Sequence, residues 1–387
     1  MKTSTERITI VQEGYKGLAE RVKEESRGGK ILLYTERGRE GEDALAALSL
    51  AGLKVTRKAV SEETLSDWAL LLETETAEGI TAVVGAGGAP ALQAAKAARV
   101  GREAPVLLFP TDLSGLSAAD ERTYFGTKGD ILRLRSEDHR VLLDPEKAAA
   151  GAVGRGLGYL LALLVECFDG AFEATITKGT SPAASLRVIG KCAAALREIR
   201  EEDAAPCLVK AMREYDKQGL LCKAPPLGTV HHFAILSSKW MGGCYLDYLF
   251  PAAYALVKLY ARYLSDLPLE HCPPPDRVRT AELLSERCKM DEAALLKKAE
   301  LYADGFAERG HRTAEYREDF AECLTESVLP LTALCRVWRR SDGKREKSPS
   351  VSELLALFSL TGEAVSGYPL LKHIMTTGLI EPLLLAS

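Results

Sequence analysis

The chain has 387 residues, 47% of them hydrophobic and 27% charged, enough apolar material for a sizeable core and, at this length, for two domains. A formal net charge of −4 provides no global basic field for nucleic acid or an anionic membrane surface. No stretch reaches the run of about 18 apolar residues that a membrane helix needs, so the expectation is a cytoplasmic protein with neither nucleic-acid nor membrane partners.

Up to residue 147, apolar runs of strand length alternate with helical stretches. Lys30–Tyr34 reads as a strand, Glu42–Gly52 as a helix, Leu53–Thr56 as a strand, Glu62–Thr76 as a helix and Ile80–Val84 as a strand. Such alternation predicts a parallel sheet with crossover helices. The run from Thr81 to Lys96 carries the most information: a buried strand, a turn containing Gly85, Gly87 and Gly88, and then Pro90, which suits the first turn of a helix. Glycines there let a ligand approach the backbone, and the free N–H groups and dipole of the following helix favour a phosphate. The spacing matches neither G-x-G-x-x-G nor G-x-x-x-x-G-K-[ST], and a tight strand-to-helix turn without a ligand explains the glycines equally well. Pro105–Pro110 supplies the next strand, Tyr124–Phe125 and Ile131–Leu134 suggest a hairpin around Gly126–Gly129, and Val141–Leu143 is a last strand.

Beyond residue 147 the pattern becomes helical: 148–168, 184–201, 205–215, 249–264, 279–288, 291–310, 317–340 and 350–362, with a break at Cys272-Pro-Pro-Pro275. The basic stretch Arg339–Lys347 reads as a solvated loop. Nine cysteines, none in a C-x-x-C pair, resemble neither a zinc ribbon nor a disulfide framework. The expected architecture is an α/β nucleotide-binding domain over residues 1–147, Rossmann-like with a parallel sheet, and an all-helical domain over 148–387, with the site in the cleft between them.

Four segments together resemble one enzyme superfamily. Val83-Val-Gly-Ala-Gly-Gly-Ala-Pro-Ala-Leu-Gln-Ala-Ala-Lys96 is similar to the G-G-G-x-x-x-D-x-A-K motif of the iron-containing alcohol dehydrogenase and dehydroquinate synthase superfamily, with Ala89 for the third glycine and Gln93 for the aspartate. Phe109–Ser117 resembles its P-T-T-x-x-x-x-S segment, with Pro110, Thr111 and Ser117 in register, and Leu142–Glu146 resembles the D-P turn before its helical domain. In the helix that follows, Tyr159 stands where the family has an aspartate metal ligand. Leu227-Gly-Thr-Val-His-His-Phe-Ala-Ile235 resembles the G-x-E-H-H-x-x-H pattern of the glycerol-1-phosphate dehydrogenase branch, and Phe250 stands at a second ligand histidine.

The resemblance implies NAD or NADP as cofactor, held by Gly87, Gly88 and Ala89 with Thr111, Ser114 and Ser117 as hydroxyl donors. It also implies zinc or iron as Lewis acid, but only His231 or His232 survives as a ligand. Phenylalanine has no lone pair and a phenol is a poor ligand, so the inherited metal is expected to be absent. Glu166, Cys167, Asp169, Cys244, Asp247 and His271 are candidate replacement ligands. Tyr159 either donates a proton to a ketone oxygen or packs in the core. Tyr254 and Lys258, four apart, form either a catalytic pair or a surface pair. Lys54, Arg57 and Lys58 favour a 2′-phosphate, yet no selector between NAD and NADP is assigned. The expected activity is an oxidoreductase acting on a small-molecule substrate, a phosphorylated polyol or ketose. The alternatives are a catalytically retired nucleotide- or sugar-phosphate-binding homologue and a dehydroquinate synthase-like lyase or cyclase, and association into a homo-oligomer is compatible with each.

Overall fold

The apolar runs of the first 147 residues form the sheet expected of them. The computed structural model describes residues 8–62, 79–98, 104–126, 131–135, 139–148, 153–199, 203–221, 228–266, 306–334 and 350–385, except 366 and 378, together with positions 278, 282 and 293. The strands are β1 (Ile8–Ile10), β2 (Lys30–Glu36), β3 (Lys54–Val60), β4 (Ile80–Gly87), β5 (Val106–Pro110), β6 (Arg122–Gly126), β7 (Ile131–Arg135) and β8 (His139–Leu143). Six of them form one parallel sheet in the order β1-β8-β5-β4-β2-β3, while β6 and β7 pair antiparallel, as the hairpin reading requires. Strand β4 runs three residues beyond the expected Val84, because Gly85, Ala86 and Gly87 keep pairing with Leu108, Phe109 and Pro110.

Both faces of this sheet are covered, which is why its central strands read as continuous apolar runs rather than alternating ones. On one face Ile31, Leu33, Val84, Leu107 and Phe109 pack with Tyr15, Leu18 and Val22 of α1 (Tyr15–Ser26) and with Ala44 and Leu48 of α2 (Arg39–Leu50). Each fully buried Leu or Val there contributes about 1.5–3 kcal/mol. Helix α3 (Ala89–Ala98) packs on β4, β2 and β5, and the ideal Cβ of Gly85 would lie 2.9 Å from the Cβ of Ala95. Gly85 therefore fixes how closely α3 approaches its own strand. Strand β1 and helix α1 were not anticipated from sequence. The strand has only three residues, and the short i, i+3, i+4, i+7 stripe of α1, Tyr15, Leu18, Ala19 and Val22, is set among many charged residues.

The chain forms two compact units: residues 1–159 with 198–223 and 243–246, and residues 160–197 with 224–242 and 247–387. The expected domain bounds are 1–147 and 148–387, whereas these units are threaded. The returning segment belongs to the first unit because Glu121 N–H donates to the Leu221 carbonyl at 3.1 Å, and because α7 (Ala204–Lys217) packs on α4 (Pro145–Ala148). Helix α5 (Val153–Lys178) continues ten residues past the expected end at Phe168. α6 (Ala183–Arg197) follows it.

Among the described residues the second unit contains the later part of α5, α6, α8 (Thr229–Met241), α9 (Leu249–Asp266), α10 (Phe306–Glu315), α11 (Arg317–Glu322), α12 (Val351–Ala364), α13 (Leu370–Thr376) and α14 (Ile380–Leu385). Phe320 meets Phe168 and Phe172 edge-on at 5.3 and 5.5 Å, and Phe233 meets Phe358 at 4.9 Å, so aromatic contacts tie these helices together. The expected helix 62–76 beyond Glu62, helix 279–288 apart from position 282, the part of 291–310 before 306 apart from position 293, the end of 317–340, the Cys272–Pro275 break, His271 and the basic stretch 339–347 lie outside the described residues. Among the described residues no helix is long and apolar enough to cross a membrane.

Candidate functional site

Strand order places the glycine turn at a chemically favoured point. From β2 the sheet grows to one side with β3 and to the other with β4, so the direction of winding reverses between β2 and β4. In open α/β sheets, ligands bind beyond the carboxyl ends of strands at such a reversal. The residues at those two ends are Glu36 of β2 and Gly87 of β4. Gly87 has φ +146°, a conformation that L side chains rarely adopt, so the turn needs glycine there.

The turn is dressed by polar groups of its own unit. Gly88 N–H donates to Glu36 Oε2 at 2.6 Å, and Ala89 N–H donates to Ser114 Oγ at 3.4 Å. Ser114 Oγ in turn donates to Asp112 Oδ1, which also accepts from the backbone N–H groups of Ser114 and Gly115 and so caps the turn at Leu113–Ala119. Thr111 N–H closes on the Gly87 carbonyl at 3.0 Å. Of the six residues expected to hold a cofactor, Gly87, Gly88, Ala89, Thr111 and Ser114 come together at this turn. Ser117 is turned inward: its hydroxyl donates to the Ser114 carbonyl at 3.0 Å and meets Gln93 Nε2 at 3.2 Å.

Sequence reasoning missed Glu36. An acidic residue ending the strand that neighbours the glycine strand was the available signal, but it requires knowing that β2 and not β3 lies beside β4. Burial pushes the Glu36 carboxyl up from its ordinary value. The nearby charges of Asp112 and Glu62 add to this, while the Gly88 hydrogen bond and Arg155 pull it back. Arg57, expected to favour a 2′-phosphate, pairs with Glu42 and donates to Thr35 Oγ1 at 2.8 Å and to the Glu36 carbonyl at 3.2 Å.

The rest of the motif is structural. Lys96 is buried, and its ammonium donates to the carbonyls of Asp120 and, at 2.8 Å, Arg122. Gln93, at the motif's aspartate position, accepts from Thr123 Oγ1 at 2.7 Å.

Tyr159 lies in the first unit, buried, with its hydroxyl donating to Asp120 Oδ2 at 2.8 Å. Asp120 is also gripped by Arg122, with Nε 2.9 Å from Oδ1 and Nη2 2.8 Å from Oδ2. Burial alone raises a carboxyl, but the charge and hydrogen bonds of Arg122 and the charge of Lys96 hold Asp120 below its ordinary value. Burial, and then the Asp120 charge, push the Tyr159 phenol well above 10. Its proton is therefore firmly held, the reverse of what a general acid near neutral pH requires.

The other positions to which the resemblance assigns metal ligands belong to the second unit. His231 Nδ1 lies 2.7 Å from Glu166 Oε1, with both side chains buried. His232 Nδ1 meets the Gly228 carbonyl at 2.8 Å, and the Phe250 ring stacks on Tyr254 at 6.0 Å. Asp169, one turn beyond Glu166, accepts from Tyr260 OH at 3.2 Å and Leu370 N–H at 3.1 Å. Of the other candidate replacement ligands, Cys167 is buried in this unit, Cys244 is buried in the first unit, and Asp247 is half-buried. Among the described residues no group of three or more His, Cys, Asp or Glu side chains is placed to hold a metal ion. Lys258 sits over the Tyr254 ring, 5.1 Å from its centroid, which is the surface arrangement of that pair.

No protein-family model matches the chain, and no curated protein matches it. Solved structures do. It is similar to an iron-containing alcohol dehydrogenase at 14% identity and TM-score 0.57, covering 97% of this chain and 96% of that one. It is similar to the NADH-dependent butanol dehydrogenase A of Thermotoga maritima at 13% identity and TM-score 0.55, covering 98% and 96%. Maleylacetate reductase from Rhizobium sp. strain MTP-10005 follows at 17% identity and TM-score 0.53, covering 100% and 98%. These likenesses run through both units, and the chain has the fold of the iron-containing alcohol dehydrogenases.

Proposed function

We propose that the chain is an NAD(H)-linked oxidoreductase whose dinucleotide lies against the Gly87-Gly88-Ala89 turn and whose substrate is a small alcohol or ketone. The observation that carries this reading is the glycine turn at the winding reversal, where Gly87 has φ +146° and neither Gly87 nor Gly88 has a side chain to bar the backbone. Gly87, Gly88, Ala89, Thr111 and Ser114 would hold the diphosphate. A bound nicotinamide supplies the hydride acceptor or donor. Glu36, Asp112 and Glu62 around the turn disfavour the additional phosphate of NADP, so NAD(H) is the better fit. The polyol or ketose phosphate substrate rests on the resemblance of segment 227–235.

A metal does not fit the inherited positions. Phe250 offers no lone pair and Tyr159 keeps its phenolic proton in the hydrogen bond to Asp120, so two of the three positions supply no ligand, although the Glu166 contact at His231 Nδ1 leaves Nε2 of that ring able to coordinate. Any catalysis proceeds without that ion at those residues. The same donor set favours a second reading, a nucleotide-binding homologue that has lost catalysis. Tyr159, Asp120 and Arg122 would then be a structural network. A dehydroquinate synthase-like reaction inherits the same lack of ligands.

The test is fluorescence titration with NADH and NADPH beside elemental analysis and a screen of polyol and ketose phosphates. Tight NADH with turnover and no bound metal supports the first reading, and NADH without turnover supports the second. A Gly88→Val variant should lose the nucleotide, because its Cβ would lie 2.8 Å from Asp112 Oδ2 and 3.3 Å from Glu36 Oε2. Unchanged affinity in that variant refutes the placement.

A further inference from the structure

We infer that Glu36 is a built-in competitor for the phosphate at the glycine turn: its carboxylate holds the Gly88 N–H that a diphosphate would take, so a dinucleotide binds only by displacing it. This rests on the reading of the turn as a nucleotide site.

Three observations carry the inference. The Gly88 N–H to Glu36 Oε2 bond, at 2.6 Å, is charge-assisted and stronger than a neutral amide contact. The space that glycine leaves open is lined by carboxylate oxygen. A Cβ built on Gly87 would lie 2.6 Å from Glu36 Oε2, and one built on Gly88 would lie 2.8 Å from Asp112 Oδ2. The next backbone donor, Ala89 N–H, is engaged by Ser114 Oγ. A carboxylate at the start of α3 thus occupies the position that helix dipole and N–H groups offer to any anion.

The charges facing Glu36 make the competition unequal. Asp112 comes from the loop after β5, Glu62 from the segment after β3, Arg155 from the first turn of α5 and Arg57 from β3. Arg155 Nη1 is itself paired with Glu62 at 2.9 Å, and Arg57 is directed to Glu42, Thr35 and the Glu36 carbonyl. An incoming diphosphate therefore meets three carboxylates with two guanidiniums already engaged. An ordinary phosphate site weakens as salt screens attraction. This one should strengthen, because salt screens repulsion first.

Glu36 also stands where dinucleotide folds place an acid for ribose hydroxyls, so the probe is inorganic pyrophosphate, which has no ribose. Calorimetry of the full chain and of Glu36→Ala should show at least about tenfold tighter pyrophosphate binding in the variant, the size expected when a like charge leaves the site. Wild-type affinity should rise with ionic strength, whereas that of Glu36→Ala should fall. Hydrogen exchange followed by mass spectrometry should show the Gly88 amide exchanging faster in Glu36→Ala. Glu36→Gln, which keeps an acceptor for Gly88 N–H but not the charge, should retain amide protection and lose the inverted salt dependence. Equal, weaker or undetectable pyrophosphate binding in Glu36→Ala overturns the inference, and so does an unaltered Gly88 exchange rate. NADH failing to bind both chains while pyrophosphate binds Glu36→Ala overturns the dinucleotide reading and leaves this inference standing.

Discussion

Asp120 in the first unit and Asp169 in the second are both fully buried aspartates, and their surroundings drive them apart. Arg122 forks onto Asp120, Tyr159 donates to it, and the carboxyl is held low in spite of burial. Asp169 has donors but, among the described residues, no cation beside it. Burial pushes it up to about 7, the Glu166 charge adds to the rise, and the bonds from Tyr260 and Leu370 only moderate it. Burial sets the cost of the charge, and the presence of a guanidinium decides whether the group ionises. The two sites consequently bias stability with opposite signs. Asp120 stabilises the fold above its unfolded pKa and loses that contribution as pH falls through its depressed folded value. Asp169 binds a proton in the folded state that the unfolded chain has released, so stability falls as pH rises from 3.8 to about 7 and then levels off.

Removing the cation should turn the first aspartate into a copy of the second. Arg122→Met leaves Asp120 buried and uncompensated, and should cost about 3–5 kcal/mol in urea unfolding at pH 7. Its stability should also fall more steeply with rising pH than the wild type's, because a second buried carboxyl then binds a proton on folding. A loss below about 1 kcal/mol means that Arg122 does not hold the carboxylate. The second aspartate can be neutralised directly. Asp169→Asn should raise stability by up to about 4 kcal/mol above pH 7 and by progressively less down to pH 4, since every tenfold gain in proton affinity on folding is worth about 1.4 kcal/mol. Denaturation midpoints that differ equally at pH 5 and pH 8 rule out a neutral buried Asp169.

Smaller changes sharpen the contrast. Tyr159→Phe removes a hydrogen bond to a charged group and should cost roughly 1.5–3 kcal/mol. Because the phenol stays protonated, this loss should not vary between pH 6 and pH 9. A pH-dependent loss in that range means that Tyr159 titrates after all and restores it as a candidate acid. Lys258→Gln, which loses only the contact over the exposed face of Tyr254, should cost no more than about 1 kcal/mol.

Alternation of strand and helix made the first unit legible in sequence, and Gly85, Gly87 and Gly88 marked its turn because glycine is needed where α3 crowds β4 and where φ is positive. The Tyr159–Asp120 bond could not be read, since 39 residues separate the partners and neither stands in a periodic pattern that points at the other. Glu36 was invisible for a topological reason: its neighbour at Gly88 is 52 residues away, and only the order β4-β2-β3 brings them together. Ser117 matched a motif position yet turned inward toward Gln93, so register in a short motif did not fix the direction of a side chain. The threaded division of the units escaped for a similar cause, because a helical segment carries no mark of the unit it returns to.

Lys96 donates to the main-chain carbonyls of residues 120 and 122, and its charge also acts on the Asp120 carboxylate. Drift in side-chain identity at those two positions therefore leaves these two carbonyl anchors in place. Gln93, whose partners include the hydroxyls of Ser117 and Thr123, stands in the contrasting situation, where a change on one side can be answered by a change on the other. The helix after the glycine turn thus has one side chain anchored on main-chain carbonyls and one anchored in part on hydroxyls.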